Sequence, residues 1–145
     1  MLRYLSGVLG LAGAYYLSAQ LALRYGGVAE VNFFWPATGV AVAVLFRAGL
    51  RYWPGLVFGA LVGARHFPPA TAGVLALMVS VGPVLTAWLL VRFRFDPHRL
   101  GRRELVVFLA AGLLGVTGTS SAVAVWRAAV QLPAARLAEV WLVWW

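Results

Sequence analysis

A chain of 145 residues that is 63% hydrophobic and only 11% charged has too few polar groups to cover a water-facing surface, since a soluble domain carries about 25% charged residues. Its net charge of +8 comes from twelve arginines, with no lysine, against four acids. The arginines stand between apolar runs and not along one exposed face, which removes nucleic acid as a partner, and the absence of cysteine removes disulfide frameworks, thiolate chemistry and Cys-based metal sites.

The first element is a helix over about Tyr4–Leu23, a run of 20 residues without a charge. A helix of ~20 residues spans the ~30 Å hydrocarbon core of a bilayer. The run is too long for the apolar part of a signal peptide, and Ser18-Ala19-Gln20-Leu21-Ala22 offers no small-x-small cleavage pattern, so the helix is retained. Ser6, Gly10, Ala14 and Ser18 recur every four residues and predict a small-residue contact face. Arg24-Tyr25-Gly26-Gly27 ends the helix.

Two helices opened by Trp-Pro follow. Trp35-Pro36 starts the second, which runs to about Leu50 between Thr38-Gly39 and Arg47/Arg51; Trp53-Pro54 starts the third, which ends near Arg65-His66. Proline suits the first helical turn, and tryptophan suits the headgroup level. Both segments are short for a full span, and two true spans are expected of them. Gly55, Gly59 and Gly63 form a double small-xxx-small motif on the third helix.

The fourth helix covers about Ala72–Val91 within the uncharged run Phe67–Val91, and Gly82-Pro83 predicts a kink in it. The loop 92–103 holds Arg92, Arg94, Arg99, Arg102 and Arg103. A fifth helix begins at Glu104, where the helix dipole favours an acid, and reaches about Val130. It carries Thr117, Thr119, Ser120 and Ser121, whose expected role is helix packing. A sixth helix starts near Leu137, after Pro133, and is cut off at Trp145. The fold class is therefore an all-α polytopic transmembrane bundle of five complete helices and part of a sixth. It forms one integral membrane domain over residues 1–145 with no soluble domain. Period-two alternation is absent from the runs, which excludes a transmembrane β-barrel.

Counting arginines gives the orientation. With a cytoplasmic N-terminus, the inner side carries Arg3, Arg47, Arg51 and the five of the 92–103 loop, against Arg24, Arg65, Arg127 and Arg136 outside. The positive-inside rule prefers that arrangement.

Chemistry is sparse. Glu30, Asp96, Glu104 and Glu139 all fall in loops or at helix ends, so no ionisable group is placed deep in the bundle, where such groups are usually functional. His66 and His98 fall at opposite ends, and Ser120 has no His or Lys nearby in sequence. No catalytic residue, cofactor or metal is expected. Trp35, Trp53, Trp88 and Trp126 fit an aromatic belt, whereas Trp141, Trp144 and Trp145 are denser than a belt requires. Arg65 and Arg127, on the same predicted side, either cap an anion site or snorkel to the interface.

Phe34-Trp35-Pro36-Ala37-Thr38-Gly39-Val40-Ala41, then Arg51-x-Trp53-Pro54-Gly55 and Gly59-Ala60-Leu61, resemble the first type of bacterial membrane-associated sensor domain (MASE). The likeness continues through Phe95-Asp96-Pro97 and Trp141-Leu142-Val143-Trp144-Trp145. Two departures stand out. The chain stops at Trp145, where the family continues with Leu-Gly-Asp and further helices, and it has Gly63-Ala64 where a polar Asn is expected late in helix three. The resemblance implies a sensory input module of the bacterial inner membrane, working by helix repacking and feeding a cytoplasmic histidine kinase, GGDEF or EAL output domain on the same chain. Its partners would be the lipid bilayer, that output domain, an unidentified small-molecule or protein signal, and a second copy in a homodimer. Candidate signal or packing residues are Trp35, Pro36, Thr38, Gly39, Trp53, Pro54, Gly55, Gly59, Gly63, Trp141, Trp144 and Trp145. A fragment of a small-solute permease, or a structural membrane partner without ligand, remains the alternative.

Overall fold

The computed structural model describes residues 1–25, 27–28, 31–32, 36–99, 101–130, 138 and 141–142. Helix α1 spans Leu2–Tyr25 and is followed by two-residue strands, β1 Gly27–Val28 and β2 Val31–Asn32, paired antiparallel with Gly27 opposite Asn32. Helix α2 (Pro36–Ala48), a 3-10 turn (Leu50–Tyr52), α3 (Trp53–Gly63), α4 (Pro69–Arg92) and α5 (Arg102–Val130) complete the described elements. Of the expected sixth helix, Ala138, Trp141 and Leu142 are helical, and the remainder lies outside the described residues.

The breaks between helices have local causes. Gly49, at φ 112 and ψ 147, takes a backbone conformation that side chains resist, and this releases α2 into the 3-10 turn. Trp53-Pro54 and Pro68-Pro69 sit where α3 and α4 begin, positions at which a missing N–H costs no helical bond. Arg94 is left-handed, with φ 52, and it lets Phe95 donate to the Leu90 carbonyl at 2.9 Å, so the end of α4 is capped by its own backbone.

Side-chain contacts fix the helix directions. Gly55 lies by Val8 and Leu11, Gly59 by Ala12 and Tyr15, and Arg65 by Tyr16, so α3 runs parallel to α1. Gly82 lies against Gly115 and Thr119, and Thr86 against Ala111, so α5 runs antiparallel to α4. Helix α1 packs on α2 and α3, α4 packs on both of these, and α5 rests on α4. The 3-10 turn sits at the N-terminal end of α1, where Tyr52 stacks on Tyr4 with ring centroids 5.6 Å apart. Phe46 meets Phe95 edge-on at that same end. Arg3, Arg47, Arg51 and the 92–103 loop therefore share one end of the bundle.

Burial has the polarity of a membrane protein. Eleven of the nineteen buried apolar residues among those described are alanines, while Leu9, Leu17, Phe58, Leu113, Leu114 and Val125 are exposed. Small residues inside let backbones approach, and bulky apolar ones outside need a hydrocarbon solvent. Two described helices, Pro69–Arg92 and Arg102–Ala129, are long and apolar enough to cross a bilayer.

Three expectations need correction. Helices α2 and α3, with 13 and 11 residues, are shorter than two full spans require, since they reach only ~20 and ~16 Å along their axes. Helix α3 also ends at Gly63, and the turn carrying Arg65 lies beside Tyr16, in the middle of α1. The small stripe on α1 is not its contact face: Ser6 and Gly10 are exposed, and the buried line is Val8, Leu11, Tyr15, Ala19 and Ala22. That line mixes steps of three and four residues, which tracks a helix face better than a strict repeat of four.

Candidate functional site

Two glycine seams organise the bundle, and they differ in chemistry. The first joins α1 to α3. A Cβ at Gly55 would collide with the Val8 carbonyl oxygen, and one at Gly59 would lie 2.6 Å from the Ala12 carbonyl oxygen. Bare backbone is what permits this approach, and the contact is sustained by dispersion and weak Cα–H···O interactions. Leu56, Leu11 and Tyr15 close the seam on the core side. Polar bonds between α1 and the α3 region occur at the seam's two ends. Tyr4 donates through its hydroxyl to the Arg51 carbonyl at 3.3 Å, and the Arg65 guanidinium donates to the Tyr16 hydroxyl at 3.2 Å. Tyr52 covers Gly7 at the lower end and carries the Arg51 guanidinium 5.0 Å above its ring.

The second seam joins α4 to α5, and hydroxyls stitch it. Gly82 and Gly115 face each other so closely that a Cβ on Gly115 would meet the Thr86 hydroxyl and the Gly82 carbonyl. Pro83, buried in mid-helix, takes away the N–H that would have bonded the Val79 carbonyl. One residue earlier, the Gly82 N–H donates to the Thr119 hydroxyl oxygen at 3.0 Å, and the Thr86 hydroxyl donates to the Ala111 carbonyl at 3.2 Å. The proline-weakened stretch is thus tied to α5 from both sides of Pro83. Ser80 bonds back to the Ala76 carbonyl at 2.7 Å, within its own helix. Ser120 is fully buried and its hydroxyl has no hydrogen-bond partner among the described residues. Ser80, Thr86 and Ser120 are the buried polar side chains among the described residues, so no charged side chain lies in the interior there.

The sequence candidates do not form one cluster. Gly55 and Gly59 belong to the α1–α3 seam, but Gly63 has open space around it and is no part of the contact. Gly63 is the last residue of α3, and beyond it the contact with α1 passes to the Arg65 side chain on Tyr16. Trp53 is exposed and Pro54 half-buried at the start of α3, while Pro36 and Thr38 are half-buried and Gly39 exposed on α2. Trp141 donates its indole N–H to the Ser121 hydroxyl at 3.1 Å, which places this residue against α5. Trp35, Trp144 and Trp145 lie outside the described residues. Arg65 and Arg127 have different partners, Tyr16 for one and the Trp126 ring, 5.9 Å away, for the other. Sequence reading missed the Gly82–Gly115 pair and Thr86. Their signal was present as glycines beside hydroxyls in two successive apolar runs, but nothing in the sequence said which faces meet.

The basic loop is partly self-neutralised. Arg99 pairs with Asp96 at 3.3 Å, and Arg103 bonds Glu104 at 3.0 Å and the Phe93 carbonyl at 2.7 Å. Among the described residues no group of three or more His, Asp or Glu is placed to hold a metal ion.

One comparison with known proteins gives a result. The profile of the MASE1 family matches residues 1–145, the whole chain. No curated protein and no solved structure matches. The chain belongs to the MASE1 family of membrane-associated sensor domains, a sensory family and not a catalytic one.

Proposed function

With that family as premise, we propose that the chain is the sensory input domain of a bacterial inner-membrane signalling protein, and that it passes its signal by repacking α3 against α1. Its N-terminus and the 92–103 loop lie in the cytoplasm, and a histidine kinase or a cyclic-di-GMP enzyme with GGDEF or EAL domains receives the change. The observation that carries this reading is the chemistry of the α1–α3 seam. It is held by shape over Gly55 and Gly59, and the polar bonds described between the two helices lie at its ends. Such a contact loses little when one helix shifts along the other, because among the described residues the hydrogen bonds joining the two helices lie at exposed ends of the seam. A signal then needs only to favour one of two packings over the other.

The test grafts this chain in place of the matching segment of a MASE1 receptor that carries a diguanylate cyclase output. A short bifunctional methanethiosulfonate bridges Tyr4→Cys to Tyr52→Cys, replacing rings that stack 5.6 Å apart. A control bridge joins Phe95→Cys to Phe108→Cys, whose rings lie 5.8 Å apart at the α4–α5 end. Bridging the first pair is expected to change the basal cyclase rate severalfold, reversibly with dithiothreitol, and bridging the second to leave it nearly unaltered. If the first pair is fully bridged on a gel and the rate stays the same, α1 and α3 do not carry the signal.

A further inference from the structure

An open groove of about 420 Å³ runs between α3, the 3-10 turn and α4. Trp53 and Val57 form one wall, Leu77, Val81 and Leu85 the other, and Trp88 the lower end. Ser80 also lines it, but its hydroxyl is bonded to the Ala76 carbonyl, so the groove presents no polar group in need of a partner. Both tryptophans are about half exposed, 45% for Trp53 and 47% for Trp88. In a bilayer this face touches hydrocarbon, and a groove left empty there would forfeit the dispersion contacts of its whole lining.

The groove is asymmetric in charge. Leu77, Val81, Leu85 and Trp88 follow helical spacing down one face of α4, and the next position on that face is Arg92, one turn beyond Trp88. Arg92 is exposed and, unlike Arg99 and Arg103, makes no hydrogen bond or ion pair with a described residue. Arg51 follows Leu50, which also lines the groove, at the same end of the bundle. The other end of this α4 face, toward Gly73 and Pro69, has no charged residue. An apolar channel open to lipid, framed by interfacial tryptophans and ended by an unpaired cation, has the polarity of one phospholipid molecule.

We propose that the α3–α4 groove is a binding site for an anionic phospholipid, with an acyl chain between Trp53 and Trp88 and the headgroup phosphate on Arg92. Charge complementarity selects the occupant. A second copy of the chain would bring its own arginines to the same end, whereas a phosphate neutralises Arg92 there. The site does not depend on movement between α1 and α3, so it stands or falls separately from the signalling mechanism.

The experiment uses the whole chain reconstituted in phosphatidylcholine vesicles, with brominated acyl chains as quenchers of tryptophan. Subtracting the signal of Trp88→Phe from that of the unaltered chain isolates Trp88 among the seven tryptophans. With brominated phosphatidylglycerol, quenching of Trp88 is expected to saturate at low mole fraction. With brominated phosphatidylcholine it should rise only in proportion to the bromolipid present. Arg92→Gln should raise the half-saturating fraction of phosphatidylglycerol about fivefold, and Arg24→Gln, at the opposite end, should leave it unchanged. Equal, proportional quenching by both lipids would mean ordinary annular lipid and would overturn the proposal. Absence of quenching by either would also overturn it, since a protein segment or a second copy would then fill the groove.

Discussion

Both seams bring two helix backbones together over glycine, yet only one is locked. Between α1 and α3 the glycines meet carbonyl oxygens and the contact is one of shape, with tyrosines and arginines bonding at the ends. Between α4 and α5 the glycines sit beside Thr86 and Thr119, and two hydroxyl bonds, one buried and one part-buried, cross from helix to helix. In hydrocarbon a broken hydrogen bond finds no water to replace it, so the second seam has one favoured register. Among the described residues, the bonds that join the first seam are exposed ones at its ends. The comparison teaches that small-residue packing alone says where helices touch and leaves open whether they hold; the hydroxyls decide that.

The largest expected effect breaks the locked seam. Gly115→Leu would drive a side chain into Thr86 and the Gly82 backbone, and it should cost about 3 kcal/mol, the upper end for overpacking. Gly59→Leu meets the Ala12 backbone and the Tyr15 ring, so about 2 kcal/mol is expected. Gly63→Leu, with open space around it, should change stability little. Melting of the three variants in detergent gives the order directly. Similar melting of Gly59→Leu and Gly63→Leu would remove the α1–α3 seam as a packing surface.

A smaller effect sharpens the role of the hydroxyls. Thr86→Val keeps the shape and removes the hydroxyl bond from α4 to the Ala111 carbonyl, and a loss of about 1 kcal/mol should follow. Ser120→Ala removes a buried hydroxyl that has no partner among the described residues, so it should be neutral or slightly stabilising. Chemical denaturation of the pair in mixed micelles would read both signs. A loss at Ser120 equal to that at Thr86 would mean that hydroxyl bonding does not distinguish the seams.

The Trp-Pro pairs, the Gly82-Pro83 site and the arginine-rich loop were legible in the sequence because each is a local device. Proline opens a helix or weakens it wherever it stands, and charge interrupts an apolar run without reference to neighbours. Partnership between faces was not legible. Ser6, Gly10, Ala14 and Ser18 look like a contact stripe, yet the buried face of α1 carries larger residues, because Leu11 and Tyr15 fill the space beside the glycines of α3. Gly63 repeats the spacing of Gly55 and Gly59 but falls where the helix stops. The Thr117–Ser121 cluster was rightly expected to pack helices; that Thr119 would serve the amide before Pro83 depends on the antiparallel register of α4 and α5, which no single run encodes.

Distance distributions between spin labels test the contrast most directly, and a chain without cysteine can be labelled at chosen sites without background. One pair, Leu17→Cys with Val62→Cys, reports on α1 and α3 from exposed positions; the other, Val81→Cys with Leu113→Cys, reports on α4 and α5. The account predicts a broader or two-peaked distribution for the first pair and a single narrow one for the second, with Thr86→Val and Thr119→Val together broadening the second toward the first. Equal widths in the unaltered background, or a second pair indifferent to the loss of both hydroxyls, would contradict it.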